Sequence, residues 1–126
     1  MADWWQWSQK REKEALTFAV VGVGRFGTAV CRELISNGAD VLAADYSEKA
    51  IDDLRQLEPS IEARVVDCTD EESMKESGIL EMNTVVVGIS EPIEASITTT
   101  LIAKDSEGSK VKRVIARATS DLHEKM

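Results

Sequence analysis

Phe18-Ala19-Val20-Val21-Gly22-Val23-Gly24-Arg25-Phe26-Gly27 decides the fold of this chain. A short apolar run rich in β-branched residues reads as a buried parallel strand, and it passes directly into three glycines at G-x-G-x-x-G spacing. The expected local structure is strand, tight turn, helix. Gly22 permits the turn, Gly24 lets backbone N–H groups approach a pyrophosphate, and Gly27 lets the helix pack close to the strand. A phosphate would sit at the helix N-terminus, where unpaired N–H groups and the helix dipole favour an anion. Glycine is equally the ordinary residue of structural turns, so the motif takes its meaning from its surroundings.

Those surroundings repeat the same alternation. The first helix keeps Phe26, Ala29, Val30 and Leu34 near one face, and Asn37-Gly38 supplies its stop. Residues 41–44 form a second apolar strand that ends in Asp45, eighteen positions after Gly27. A dinucleotide-binding fold places its ribose-gripping acid near that point. Ser47 caps a second helix whose Ala50, Ile51, Leu54 and Leu57 face inward, with Pro59 just past its end. Residues 63–66 are a short third strand, after which Thr69 and Glu72 read as a capping box for a small helix closed by Gly78. Residues 84–89 form a fourth strand, and Ser90 and Pro92 open a helix carrying Ile93, Ile97, Leu101 and Ile102. A fifth strand over residues 112–118 precedes a last helix, capped by Thr119 or Ser120, that reaches Met126 after little more than a turn.

With no hairpin signal between strands, right-handed crossovers build a parallel sheet with helices on both faces. The expected fold is a Rossmann-like, doubly wound α/β domain with strand order 3-2-1-4-5, truncated before a sixth strand. The chain therefore reads as a domain from a longer parent, with a Trp-rich extension over residues 1–15 and a nucleotide-binding domain over residues 16–126. Trp4, Trp5 and Trp7 in the extension suit docking on a partner protein, touching a membrane interface or covering the domain's own surface.

Composition narrows the function. A net charge of −8 lacks the basic footprint that nucleic acid requires. No apolar run is long enough to insert into a membrane, and the charged start lacks a secretory core, which implies a cytoplasmic protein. Cys31 and Cys68 have neither metal-ligand nor redox spacing and read as buried reduced thiols. His123, the sole histidine, has no partner at metal-ligand spacing, and no Ser/His/Asp set or H-E-x-x-H motif is present. A binding module suits these residues better than an enzyme.

In a doubly wound sheet the ligand lies beyond the carboxyl ends of the strands, where strand order reverses. That rule brings together Gly22, Gly24, Arg25, Phe26 and Gly27 from the first strand, Asp45 and Tyr46 from the second, Asp67 and Cys68 from the third, Ile89 and Ser90 from the fourth and Arg117 from the fifth. Asp45 suits a ribose diol and repels a 2′-phosphate, for which Tyr46 and Ser47 offer no compensating cation, so NADP is disfavoured. Taken alone, Asp45 is also compatible with capping the next helix. Asp67 and Cys68 would lie beside an adenine, although an acid ahead of a helix is also simply favourable to its dipole. Arg25 is placed to pair with a terminal phosphate or to remain a solvated surface arginine.

The G-x-G-R-F-G turn, residues 41–45, residues 66–70 and the Glu94-Ala95-Ser96-Ile97-Thr98-Thr99-Thr100-Leu101 helix together resemble the nucleotide-binding RCK (KTN, or TrkA-N) domain of bacterial Ktr/Trk-type potassium-uptake regulators. The resemblance implies a cytoplasmic regulatory subunit that binds ATP or ADP, with NAD(H) as a further ligand. It implies a homodimer, assembled into a ring in the full-length parent, docked on a membrane potassium-translocating subunit. It places Gly22 to Gly27 on the phosphate loop with Arg25 near the γ-phosphate, Asp45 on the ribose, Asp67 and Cys68 on the adenine edge and Arg117 on a basic fifth-strand position. The alternatives are the cofactor-binding half of an NAD-dependent dehydrogenase and an interaction scaffold with a vestigial site.

Overall fold

The computed structural model describes residues 17–116. Five strands, β1 (Thr17–Val21), β2 (Asp40–Asp45), β3 (Glu62–Val65), β4 (Thr84–Val87) and β5 (Arg113–Ala116), pair in parallel in the order 3-2-1-4-5. The helices α1 (Arg25–Ser36), α2 (Glu48–Leu57), α3 (Glu71–Ser77) and α4 (Ile93–Asp105) alternate with them, and a short 3-10 turn spans Ile79–Glu81. The Rossmann-like topology is the one expected. The Trp-rich extension, Arg117 and the last helix lie outside the described residues.

Side chains alternate across a strand, so each strand feeds two cores. Val20, Ala43, Ala63 and Val86 pack under α1 and α2 with Cys31, Ile51 and Leu54. Ala19, Val21, Leu42, Ala44, Val85 and Val87 pack on the other face with Met74 of α3 and Ala103 of α4. Burial on both faces accounts for the uninterrupted apolar character of β1 and β4.

Several local expectations are corrected. The capping box at Thr69 and Glu72 does not form. The N-cap of α3 is Asp70, whose carboxylate accepts from the Ser73 N–H at 3.0 Å and its hydroxyl at 2.7 Å. The Thr69 hydroxyl is committed elsewhere, donating to Asp67 Oδ1 at 2.6 Å. Ala29 of α1 and Leu57 of α2 face solvent, because the narrow stripes against the sheet are filled by Gly27 and Cys31 and by Ile51 and Leu54. Gly88 and Ile89 leave the fourth strand for the following loop, and α4 begins after Pro92 without a side-chain cap from Ser90.

The residues that α4 buries are not its large apolar ones. The helix buries Ser96, Thr99 and Ala103, while Ile93, Ile97 and Leu101 are 38%, 53% and 53% exposed. Small side chains let the helix approach the sheet closely, and Thr99 finds a hydrogen-bond partner there. The i, i+4, i+8 apolar residues consequently point outward.

Candidate functional site

The sheet's hydrogen bonding continues past the strand ends. Gly22 N–H donates to the Ala44 carbonyl at 2.8 Å, Gly88 N–H to Val21 at 2.7 Å and Val66 N–H to Asp45 at 2.9 Å. The loops after β1, β4 and β3 therefore depart side by side, and a cleft of about 460 Å³ opens between them at the point where strand order reverses. Gly22, Gly24, Asp45, Tyr46, Asp67, Cys68, Ile89 and Ser90 line it. Arg25, Phe26 and Gly27 do not. Arg25 is exposed at the start of α1, Phe26 packs against the α1–α2 core, and Gly27 is buried at the strand–helix contact. Arg117 lies outside the described residues.

The glycine turn is dictated by close packing. Gly22 has φ +92°, and a β-carbon on it would stand 2.9 Å from the backbone of Gly88 and Ile89. A β-carbon on Gly27 would overlap the Gly22 carbonyl oxygen, so this position admits no side chain. Gly24 differs: nothing lies within 4 Å of the place a β-carbon would occupy, and the residue faces the cleft. As N-cap of α1 it has no side chain to offer, and no acid occupies the first turn. The positive end of the helix dipole is thus left for an anion.

Asp45 is fixed at both carboxylate oxygens. Val23 N–H donates to Oδ2 at 2.7 Å and Ser47 N–H to Oδ1 at 2.7 Å. One acid thereby ties the glycine turn to the start of α2, where Ser47 caps the helix by accepting from the Ala50 N–H at 3.1 Å. Each oxygen keeps acceptor capacity, enough for the two hydroxyls of a ribose diol. Asp67 receives Thr69 N–H at 3.0 Å and the Thr69 hydroxyl at 2.6 Å, both on Oδ1. Cys68 is a neutral thiol: burial, with the carboxylates of Asp45 and Asp67 nearby, pushes it up to about 12, and its Sγ donates to the Val66 carbonyl at 3.6 Å. It has no thiolate to offer at neutral pH.

Sequence reasoning missed Val21, Thr69, Gly88, Glu91, Pro92 and Ala95 in the lining. Gly88 carries a signal, as the residue that ends the apolar run of β4; Glu91 and Ala95 carry none without the path of the loop. Among the described residues the lining holds three carboxylates, from Asp45, Asp67 and Glu91, and no Lys or Arg. A groove of about 470 Å³ also opens at the opposite end of the strands, beside Asp40, Leu42, Glu62 and Met82. It faces the strand N-termini, the end that does not bind ligands in this architecture.

The sequence matches the TrkA-N domain over residues 18–126. It is 38% identical over 109 residues to the Ktr system potassium uptake protein C of Bacillus subtilis, covering 86% of this chain and 47% of that protein. It is 40% identical over 89 residues to the Ktr system potassium uptake protein A of Vibrio alginolyticus, covering 71% of this chain and 40% of that protein. The chain thus spans less than half the length of these curated relatives. Among solved structures, the Kef C-terminal domain of Shewanella denitrificans in an AMP-bound form superposes with a TM-score of 0.66 at 22% identity, over 84% of this chain and 61% of that one. Since the match runs from the glycine turn through every strand that borders the cleft, this chain belongs to the TrkA-N domain family.

Proposed function

We propose that this chain is the nucleotide-sensing module of a potassium-uptake regulator, which binds ATP or ADP in the cleft at the carboxyl ends of β1 to β4. The observation that carries this is Asp45, held at both oxygens at the switch point and facing the side-chain-free approach at Gly24. Two relatives named as potassium uptake proteins and a solved relative holding AMP support it. The module would sit in the cytoplasm against a membrane potassium-translocating subunit. The outward stripe of Ile93, Ile97 and Leu101 supports assembly with copies of itself, as a homodimer and, in a longer parent, a ring. A nucleotide then shifts that assembly by as much as it binds one subunit arrangement better than another.

Arg25 would distinguish ATP from ADP and AMP, because it is the exposed first residue of α1, directly after Gly24 in the cleft lining. A charge-assisted hydrogen bond contributes about 1.5–3 kcal/mol, roughly ten- to a hundredfold in affinity. Arg25→Ala is expected to weaken ATP by that factor and AMP far less; equal losses for both would remove Arg25 from the phosphates.

A second reading is NAD(H). Among the described residues the cleft lining carries no Lys or Arg, which suits a ligand carrying less charge than ATP, such as a dinucleotide with an internal pyrophosphate. Calorimetry with ATP, ADP, AMP, NAD, NADH and NADP separates the two. Preference for the adenine di- and triphosphates supports the energy-sensing module, preference for NAD(H) supports the second reading, and failure of the whole panel to bind overturns both. NADP is expected to bind worst, because Asp45 opposes its 2′-phosphate.

A further inference from the structure

We propose that Thr99, on the buried side of α4, is the positioning residue that lets the cleft select a 6-aminopurine. The peptide unit between Cys68 and Thr69 is held at both ends. Its carbonyl accepts from the Thr99 hydroxyl at 2.9 Å, a bond spanning 31 residues of sequence, and its N–H donates to Asp67 Oδ1 at 3.0 Å. The Thr69 hydroxyl reaches the same oxygen at 2.6 Å. Both donors therefore converge on Oδ1 and leave Oδ2 to accept from a ligand.

Asp67, Cys68 and Thr69 all border the cleft, so the setting of this one peptide decides where a base edge meets an acceptor. Thr99 is fully buried and absent from the lining; it acts through the Cys68 carbonyl. A helical threonine ordinarily bonds back to its own helix, as Thr100 does to the Ser96 carbonyl at 2.8 Å. Thr99 instead directs its proton to the loop. A second tie, from the Ser106 hydroxyl to Glu71 Oε2 at 2.7 Å, holds the other end of α4 to the start of α3.

A carboxylate oxygen fixed in this way accepts from the exocyclic amino group of adenine. Hypoxanthine presents a carbonyl oxygen at the same ring position, so two acceptors would face each other. Site groups built to hydrogen-bond one partner reject the analogue that lacks it, because a polar group is then left unpaired. Releasing the Cys68 carbonyl frees the peptide to turn and Asp67 with it, and the distinction between the bases fades. The inference presupposes that the cleft is a nucleotide site.

Calorimetric titration of the chain with ATP and with ITP, which differ in the 6-amino group, tests both levels. Wild type is expected to prefer ATP at least tenfold. Thr99→Val, which keeps the shape and loses the hydroxyl, is expected to shrink that ratio at least fivefold while still binding, and Thr99→Ser to restore it. Where Thr99→Val fails to fold, Thr99→Cys supplies a weaker donor of similar size and is expected to give an intermediate ratio. Melting curves on the same samples separate a merely structural role: a Thr99→Val or Thr99→Cys protein with a lowered melting temperature and an unchanged ATP-to-ITP ratio overturns the inference. Wild type that binds both nucleotides equally well overturns it too, leaving the nucleotide reading standing. Wild type that binds neither overturns the ATP or ADP reading on which the inference rests.

Discussion

The two banks of the cleft are built from opposite materials. On the glycine bank, between β1 and α1, shape comes from absent side chains: Gly22 and Gly27 let backbone meet backbone, and Gly24 leaves open space. On the bank formed by the β3–α3 loop and α4, shape comes from side-chain hydrogen bonds, Thr69 to Asp67 and Thr99 to the Cys68 carbonyl. The first bank suits the part of a ligand common to all nucleotides, its phosphates. The second suits the part that differs among them, its base. Asp45 stands between the two and is tied to the glycine turn through Val23 N–H.

The sharpest way to break this contrast is on the glycine bank. Gly27→Ala puts a β-carbon into the Gly22 carbonyl oxygen and is expected to cost about 3 kcal/mol or more in denaturant unfolding. Gly24→Ala meets nothing in the protein and should change stability by no more than about 0.5 kcal/mol, while weakening nucleotide binding. Equal stability losses in the two variants would mean that Gly24 is packed for structure rather than left open for a ligand.

Asp45 joins the banks, so its loss should appear in two measurements together. Asp45→Ala leaves the N–H of the buried Val23 without its acceptor, at a cost of about 1–3 kcal/mol, and is expected to weaken every adenine nucleotide at least tenfold. Intact affinity with lowered stability would confine Asp45 to a structural role.

Each bank also has a buried thiol nearby, and alkali probes both. Burial, then the charge of Glu58, pushes Cys31 up to about 12 from an ordinary 9.0, and burial with Asp45 and Asp67 does the same to Cys68. A raised folded-state value means that the stabilising contribution is fully present below pH 9 and is lost as pH rises toward 12. Stability should therefore fall by about 1.4 kcal/mol per pH unit for each thiol within that window. Cys31→Ala and Cys68→Ala should each remove one such contribution from the slope of unfolding free energy against pH. An unchanged slope in either variant would show that its thiol ionises as readily folded as unfolded.

The smallest effect tests the far end of the α4 bank. Ser106→Ala removes the bond to Glu71 and is expected to cost about 1 kcal/mol, with nucleotide affinity unchanged. A change in the ATP-to-ITP ratio would extend base positioning beyond Thr99.

The same contrast explains what the sequence made legible. The glycine bank is written locally, because Gly22, Gly27 and one acid at fixed spacings each answer a backbone constraint while Gly24 leaves the approach open, and the alternation of apolar runs with helices led directly to the strand order. The α4 bank is not written locally. Thr99 meets Cys68 across 31 residues, and no spacing rule links them. Ile93, Ile97 and Leu101 match a helical stripe, but the sheet admits only small residues against it, so the large apolar residues do not mark the buried side of α4. The capping box slipped by one residue because Thr69 had a stronger claim on it from Asp67. A hydrogen bond between distant segments set the Thr99 contact, and a local one, Thr69 to Asp67, outweighed the capping box.

The central claim, that this cleft holds a nucleotide, is tested most directly by following backbone amide resonances of the chain as ATP is added. The expected shifts cluster at Gly22, Val23 and Gly24, at Asp45, at Asp67 to Thr69 and at Gly88 to Ser90, and they saturate together. Shifts confined to the opposite groove around Leu42, Glu62 and Met82, or none at saturating ATP, ADP and NAD, would contradict it.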